Sequence, residues 1–349
     1  MRRVRRLTII VVMPCVMILS ALFFLLVAPP EMAASTADAH LVLPSDIAVH
    51  GSHLWVANGI DKGSPLNNSV SEFNVYNGSL TRIIRLDSIT GTSFSPNAIV
   101  ASGAHVWVAD RNSVIELSAR TGSVVRVIKV KARLHAFESP AAIGAVAVID
   151  GHVWVADLST VIELDATNGT RVRVLNAKAD RFSQPMEIVE SGAHVLILNN
   201  VANNLVTELN ASNGSLVRIM NPHSDVFSQY SMSASGAHVY VANWSGPTIT
   251  ELSASSGSVV RHLGFHTVAG FSGPNSVVAS AGRLWVTNNN SVIELNTSDG
   301  SVVRVLKGKV DDFEGPGPMI VEGRHLWVAS EDSLAELNLS NGSLVRVFK

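Results

Sequence analysis

Apolar residues occur in short runs along residues 41–349, and the runs are grouped into units that recur seven times. Each unit holds four runs rich in β-branched, aromatic and Leu residues, separated by Gly, Asn, Ser or Pro, which predicts strands joined by turns. No window of ten residues shows a helical period. The glutamates of the units are 42–47 residues apart. Four strands per unit at this period predict an all-β fold, a seven-bladed β-propeller with four antiparallel strands per blade.

The third and fourth strands of each blade carry three fixed positions. In "NSVIELSARTGSVVRVIK", residues 112–129, Gly122 follows Glu116 by six residues and Arg126 follows Gly122 by four. Both spacings hold in all seven units, so a catalytic role is not favoured, since a catalytic residue is needed once. The pattern predicts a hairpin with Gly122 left-handed at the end of a three-residue loop. The predicted pairs are Glu116–Arg126, Leu117–Val125 and Ala119–Ser123.

The second strand of each blade carries a large side chain, which is Trp107 in "GAHVWVAD", residues 103–110. Leu196 and Tyr240 replace Trp in two units, which favours an apolar filler between blades over a stacking platform. Histidines begin this strand in six units. They lie far from the propeller axis if the first strand is innermost, so we predict a structural role for them and no metal site.

The segments "HVWVAD…NSVIEL…TGSVVRVI" of residues 105–128 resemble the YVTN-type β-propeller repeats and, more distantly, the NHL and streptogramin-lyase propellers. The resemblance covers about 310 residues and implies the fold. It implies little about activity, because such propellers host binding proteins, scaffolds and a few enzymes. It carries no catalytic residue over to this chain.

Residues 1–39 are predicted to form an export segment, and residues 40–349 the propeller, although length alone would favour two domains. Four arginines precede an apolar run at residues 7–28, which predicts a hydrophobic helix. The run is long enough for an anchor, and small residues follow it, so a cleaved signal and an uncleaved anchor stay open. In both cases the propeller is extracytoplasmic, secreted or anchored.

Composition narrows the possible partners. The net charge is −2 and the pI is about 6.6, so nucleic acid is not expected, and membrane contact is expected only through residues 7–28. Cys15 lies in the apolar run and is the only cysteine, so the body has no disulfide and no cysteine metal ligand. No phosphate loop or hydrolase motif occurs, and no cofactor or metal is expected. We expect a monomer that binds a protein or a small polar ligand.

Function should lie where the blades differ, on the top face formed by the second-to-third strand loops and the loops between blades. The ligand-binding candidates are Asp46, Asn97, Asp110, Asp157, Glu187, Trp244 and Asn275. The first hypothesis is a binding module without catalysis. The alternative is an extracytoplasmic lyase or hydrolase at the top of the central channel, which a His–acid pair off the repeat pattern would favour. The histidines to inspect are His135, His223, His262 and His266.

Two further expectations concern the whole ring. Blade 1 should pack on blade 7 without an exchanged strand, because no run is left over at either end. The chain also contains several N-x-S/T triplets, such as Asn77-Gly78-Ser79 and Asn341-Gly342-Ser343. These are glycosylation acceptors in a glycosylating host, but hairpin turns also favour Asn, Gly and Ser together, and we prefer the turn interpretation.

Overall fold

The structure is a computed structural model in which the described residues form 28 strands in seven four-stranded sheets. The described residues are 41–59, 66–86, 89, 96–110, 113–130, 143–157, 160–176, 182–199, 205–222, 229–244, 246–264, 271–307, 315–331 and 333–348. The predicted N-terminal helix, with its choice between signal and anchor, lies outside them. Within these ranges no helix is long and apolar enough to cross a membrane.

Each sheet is one blade, built from four consecutive antiparallel strands. Blade 1 comprises β1 (Pro44–His50), β2 (His53–Asn58), β3 (Ser69–Asn74) and β4 (Leu80–Arg85). Blade 2 comprises β5 (Ala98–Ser102), β6 (His105–Ala109), β7 (Ser113–Ser118) and β8 (Val124–Lys129). Blade 3 comprises β9 (Ala145–Ile149), β10 (His152–Ala156), β11 (Thr160–Asp165) and β12 (Arg171–Asn176). Blade 4 comprises β13 (Pro185–Ser191), β14 (His194–Asn199), β15 (Val206–Asn210) and β16 (Leu216–Met220).

The last three blades repeat this order. Blade 5 comprises β17 (Gln229–Ser235), β18 (His238–Asn243), β19 (Thr248–Ser253) and β20 (Val259–Gly264). Blade 6 comprises β21 (Pro274–Ser280), β22 (Arg283–Asn288), β23 (Ser291–Asn296) and β24 (Val302–Lys307). Blade 7 comprises β25 (Met319–Glu322), β26 (His325–Ala329), β27 (Leu334–Asn338) and β28 (Leu344–Phe348). The predicted seven-bladed fold with four antiparallel strands per blade is confirmed.

The first strands of neighbouring blades contact one another and form the central ring, β1, β5, β9, β13, β17, β21 and β25. Second and third strands are almost wholly buried, whereas the fourth strands expose alternate residues such as Val125 and Val127. This gradient follows from the radial arrangement, because the inner strands have a neighbour on both faces and the outer strands are splayed apart.

The core lies between blades and not within any one of them, because each sheet is a single layer with two apolar faces. Trp107 of blade 2 is 1% exposed and packs with Val153, Val155 and Ile162 of blade 3. Trp55 of blade 1 packs in the same way on blade 2. These side chains fill the space between sheets and leave no aromatic face free for stacking.

The hairpin between the third and fourth strands differs from the sequence prediction in its register. Glu116 lies opposite Arg126, but Leu117 pairs with Val124 and not with Val125, because a β-bulge follows Glu116. The loop has four residues, since the Ser118 N–H donates to the Ser123 carbonyl at 2.9 Å. The predicted Leu117–Val125 and Ala119–Ser123 pairs and the three-residue loop are therefore wrong. Gly122 is left-handed with φ 69°, as the prediction required.

The ring closes by packing of blade 1 on blade 7, and no strand is exchanged between these two sheets. Phe348 of blade 7 contacts Phe73 of blade 1, with ring centroids 5.8 Å apart, and Trp327 of its own blade at 5.6 Å. The Leu43 N–H donates to the Glu331 carbonyl at 2.9 Å across the same seam. The predicted mode of closure is therefore confirmed within the described part of the chain.

Candidate functional site

The repeated glutamate belongs to a buried ionic cluster and not to a catalytic centre. Glu116 is fully buried, and its carboxylate lies 2.5 Å from Nε of Arg126 and 2.6 Å from Nδ1 of His105. Burial raises the pKa of Glu116, while the nearby Arg126 and His105 act to lower it. Arg126 and His105 thus offset the free energy that burial of the Glu116 carboxylate costs.

The same cluster recurs around the ring, with one exception. In blade 6 Arg283 takes the place of the histidine, 3.0 Å from Glu294. The other His–Glu pairs are His53–Glu72, His152–Glu163, His194–Glu208, His238–Glu251 and His325–Glu336. These histidines are thus engaged in structural contacts. No group of three or more metal-ligating side chains occurs among the residues that the structure describes.

The repeated arginine also connects neighbouring blades, which the sequence did not reveal. The Arg126 guanidinium donates at 3.1 Å to the Thr167 carbonyl, in the turn between the third and fourth strands of blade 3. Arg346 of blade 7 donates at 2.7 Å to the Tyr76 carbonyl of blade 1, so the contact continues across the seam. Equivalent bonds are Arg82–Arg120, Arg173–Ser212, Arg218–Ser255 and Arg261–Ser298. The Glu–Arg pair therefore holds blades together in addition to fixing strand register.

The innermost strands present an open hydrogen-bonding edge to the axis, and neighbouring blades satisfy part of it with side chains. In blade 1 the Asp46 carboxylate accepts hydrogen bonds from the N–H of Ile99 in blade 2 and of Ile47, both at 2.8 Å. In blade 4 the Glu187 carboxylate accepts one from the N–H of Met232 in blade 5. Asp46 and Glu187 occupy equivalent positions in their blades, and we call them the axial pair.

Other blades show that the bond to the next blade does not require a charge. Ser231 occupies the same position in blade 5, and its hydroxyl accepts from the Val277 N–H at 3.1 Å. Blades 2 and 3 have Ala98 and Ala145 there, as their pairing with the second strand shows. A carboxylate at this position therefore exceeds what blade packing demands, which is typical of a functional site.

The protein environment makes both carboxyls weak acids. Each is half-buried because it borders the axis, but protein surrounds it closely enough that desolvation raises the pKa of Asp46 to about 7 and that of Glu187 to about 8. The charge of Asp46 contributes to the shift at Glu187, since Asp46 ionises first and then opposes the second ionisation. The ionised Asp46 carboxylate therefore makes the ionisation of Glu187 harder.

The axial pair lies near the top face, because each residue stands early in a first strand, directly after the loop between blades. Asn97 and Asn275 stand one position earlier in blades 2 and 6, and both are half-buried. Asn97 donates to the Ile143 carbonyl of blade 3 at 3.3 Å. The structure thus brings four of the seven candidates, Asp46, Asn97, Glu187 and Asn275, to the same end of the central ring.

The remaining candidates lie elsewhere. Asp110 and Asp157 are each 2% exposed, so little of either side chain is accessible from the top face. Asp157 accepts a hydrogen bond from the Thr160 N–H at 2.8 Å, which connects the end of β10 to the start of β11. Trp244 is 37% exposed on the top face, close to Gly273 of the next loop, where a Cβ would lie 3.1 Å from its Nε1.

Among the off-pattern histidines, His262 belongs to the described residues and gives no support to an acid–base pair. His262 is exposed, and its Nδ1 lies 3.1 Å from the Thr250 hydroxyl, at the outer edge of blade 5. His135, His223 and His266 lie outside the described residues.

Comparisons with known proteins agree with the fold. The chain is similar to the structure of Kuenenia stuttgartiensis hydrazine synthase, with a TM-score of 0.69 and 13% sequence identity, over 90% of this chain and 100% of that chain. At this identity the likeness shows the fold alone. No protein-family model matches the chain, and no curated protein matches it. The fold and this likeness define the chain as a seven-bladed β-propeller.

Proposed function

We propose that this chain is an extracytoplasmic β-propeller that binds a small polar ligand, or a polar group of a partner protein, at the top of its central ring. The axial pair carries the proposal, because Asp46 and Glu187 place ionisable groups at a position where blades 2, 3, 5 and 6 have Ser or Ala and blade 7 has Pro318. Export of the propeller is supported by the four arginines and the apolar run at residues 7–28. Membership of the YVTN-type repeat proteins is supported by the recurring segments such as NSVIEL and TGSVVRVI.

The axial pair favours a ligand that donates hydrogen bonds or carries a positive charge. A cation stabilises the ionised carboxylates and lowers their pKa, so its binding should release protons when the free protein holds them. At pH 9 the pair is ionised before binding, and at pH 6 it is largely protonated. Affinity for a cationic ligand should therefore rise with pH.

A calorimetric screen tests the proposal with the full-length protein in detergent and three probes: a diamine, a quaternary ammonium compound and a neutral sugar. We expect a cationic probe to bind at least tenfold more tightly at pH 9 than at pH 6. Asp46→Asn and Glu187→Gln should each weaken this binding, since each removes a charge. Glu190→Gln is the matched control. Glu190 lies on the same strand as Glu187, but it is exposed and stands three residues further from the top face. Equal binding by the three variants would refute the axial site.

A lyase or hydrolase is the second candidate, and the raised pKa values favour it. A carboxyl that keeps its proton near neutral pH can act as a general acid, and a neighbour that has lost its proton can act as a base. In this function Glu187 is the acid and Asp46 the base, since Asp46 ionises first. Turnover of a bound probe that Glu187→Gln abolishes while binding persists would favour the enzyme over the binding module.

A further inference from the structure

Four of the seven turns between third and fourth strands carry an asparagine two residues before Ser or Thr. Asn77 stands in Asn-Gly-Ser and Asn168 in Asn-Gly-Thr, and both side chains are exposed. Asn213 and Asn341 occupy the same place in blades 4 and 7, and they too are exposed. We call these four residues the turn asparagines. All of them lie on the face opposite the axial pair, because third strands run from the top face downward.

Each turn asparagine uses its carbonyl oxygen and leaves its amide nitrogen available. The Asn77 Oδ1 accepts hydrogen bonds from the Ser79 N–H at 2.9 Å and from the Ser79 hydroxyl at 2.8 Å. The same oxygen of Asn168, Asn213 and Asn341 accepts from the N–H two residues later, at 2.8 to 2.9 Å. Within the described part of the chain no acceptor bonds any of these four Nδ2 atoms.

The turn does not need the amide nitrogen, as the other blades show. In blade 6 Asp299 makes the same bonds to Ser301, at 2.9 Å from the N–H and 2.7 Å from the hydroxyl. Thr121 and Ser256 serve in blades 2 and 5. Because an acid builds this turn with the same bonds and a hydroxyl builds it with a longer bond of 3.3 Å, turn formation alone does not require an amide at these four exposed positions, each of which stands two residues before a hydroxyl residue.

We propose that the turn asparagines are acceptor sites for N-linked glycosylation. The co-substrate is an oligosaccharide linked through a diphosphate to a polyprenyl lipid, used by a membrane oligosaccharyltransferase. Nδ2 forms a bond to the anomeric carbon, the bond from that carbon to the diphosphate oxygen breaks, and the lipid diphosphate leaves with the electron pair. The amide gives up one proton to a base of the transferase. The proposal rests on the extracytoplasmic location, and the glycans would leave the top face open.

The chain contains a natural negative control. Asn243-Trp244-Ser245 has the same triplet, but Asn243 is fully buried and its Nδ2 donates to the hydroxyls of Thr248 and Thr250 at 3.2 and 3.3 Å. We therefore expect no glycan on Asn243 in the folded protein.

The test is glycopeptide mass spectrometry of the full-length protein isolated from its own cells, after enzymatic deglycosylation in heavy-oxygen water, which marks each formerly modified asparagine. We expect the mark on the turn asparagines and not on Asn243. Asn341→Asp should lower the intact mass by one glycan and leave folding unchanged, as Asp299 shows for blade 6. Asp299→Asn should raise it by one glycan, since it completes Asn-Gly-Ser with Gly300 and Ser301.

Unmodified peptides at all four turn asparagines in the native protein would overturn the proposal, as would a glycan on Asn243 with none on the turns. Failure of Asp299→Asn to gain a glycan in a protein whose other turns are modified would show that this turn geometry does not direct the reaction. Ligand binding at the axial pair is measured separately, so a negative glycan result leaves the proposed ligand site standing.

Discussion

At the scale of single residues, the axial pair stands out because two ionisable groups occupy a position that holds Ser, Ala or Pro in the other five blades. Asp46 and Glu187 each accept backbone hydrogen bonds from the next blade, so they contribute to packing as well as to the proposed site. Their carboxyls are nevertheless harder to ionise than in water, with pKa values of about 7 and 8 against ordinary values of 3.8 and 4.5. Folding therefore retains protons on them that the unfolded chain releases.

This retention predicts that stability falls as pH rises. Above the folded pKa values both states are ionised and the folded protein bears the full cost of the buried charges. As the pH falls through about 8 and then 7, the folded state takes up protons first, so the free energy of unfolding rises until the unfolded pKa values are reached. The slope is at most about 1.4 kcal/mol per pH unit for each retained proton.

Urea unfolding between pH 5 and pH 9 measures this effect. The Asp46→Asn, Glu187→Gln double variant should show a shallower fall than the wild type. Glu190→Gln should match the wild type, since Glu190 is exposed. A double variant with an unchanged slope would mean that other groups, such as the buried glutamates of the blades, set the pH dependence.

At the scale of the hairpin, two constraints favour glycine at the last position of the turn between the third and fourth strands. Gly122 is left-handed, and a Cβ at this position would lie 2.7 Å from Cδ of Arg82, the arginine of the preceding blade. Gly169 approaches Arg126 in the same way, at 2.8 Å. The turn of one blade thus lies against the arginine that bonds its carbonyls, and the close approach requires a residue without a side chain.

Two alanine substitutions separate these reasons. Gly103 is also left-handed, with φ 57°, but nothing lies within 4 Å of a Cβ there. Gly103→Ala should cost about 1–2 kcal/mol of stability from backbone strain alone. Gly122→Ala should cost more, because Arg82 must also move away from its bond to the Arg120 carbonyl. Equal losses in thermal or urea unfolding would show that the approach to Arg82 is not a constraint.

At the scale of the whole molecule, the ring is closed by side chains and not by a shared strand. Phe348 is 6% exposed and packs in one cluster with Phe73 and Leu54 of blade 1 and with Trp327 and Leu334 of blade 7. Arg346 adds its bond to the Tyr76 carbonyl on the same side of the seam. Closure therefore depends on apolar burial near the end of β28.

Phe348→Ala should destabilise the contact between blades 1 and 7 more than the contacts between other neighbouring blades. Loss of a buried Phe costs about 3–5 kcal/mol where the site cannot collapse around the cavity. Val345→Ala is the control on the same strand, because Val345 is 44% exposed and its loss should change stability by less than about 0.5 kcal/mol. Hydrogen exchange should show lost protection in blades 1 and 7 only. Uniform loss over all blades would argue that the ring unfolds as one unit.

Much of the fold could be predicted from the sequence, because a repeat cannot bury its apolar faces alone and its period fixes the blade. The spacing of Glu, Gly and Arg, which recurs in seven units, determined the number of blades, the order of strands and the left-handed turn at Gly122. The bulge after Glu116 could not be predicted, since pairing by symmetry assumes an unbroken ladder. The contact of Arg126 with blade 3 also depends on how neighbouring blades are placed.

The candidate site divides in the same way. The sequence by itself determined that the blades differ mainly in their top loops, and it included Asp46 and Glu187 among seven candidates without ranking them. Only the tertiary structure decided that these two occupy equivalent positions of two blades and that the charge of Asp46 raises the pKa of Glu187, while Asp110 and Asp157 are buried. The physical reason is that burial and electrostatic coupling depend on distances between blades more than 100 residues apart in sequence, and a one-dimensional pattern contains no such distances.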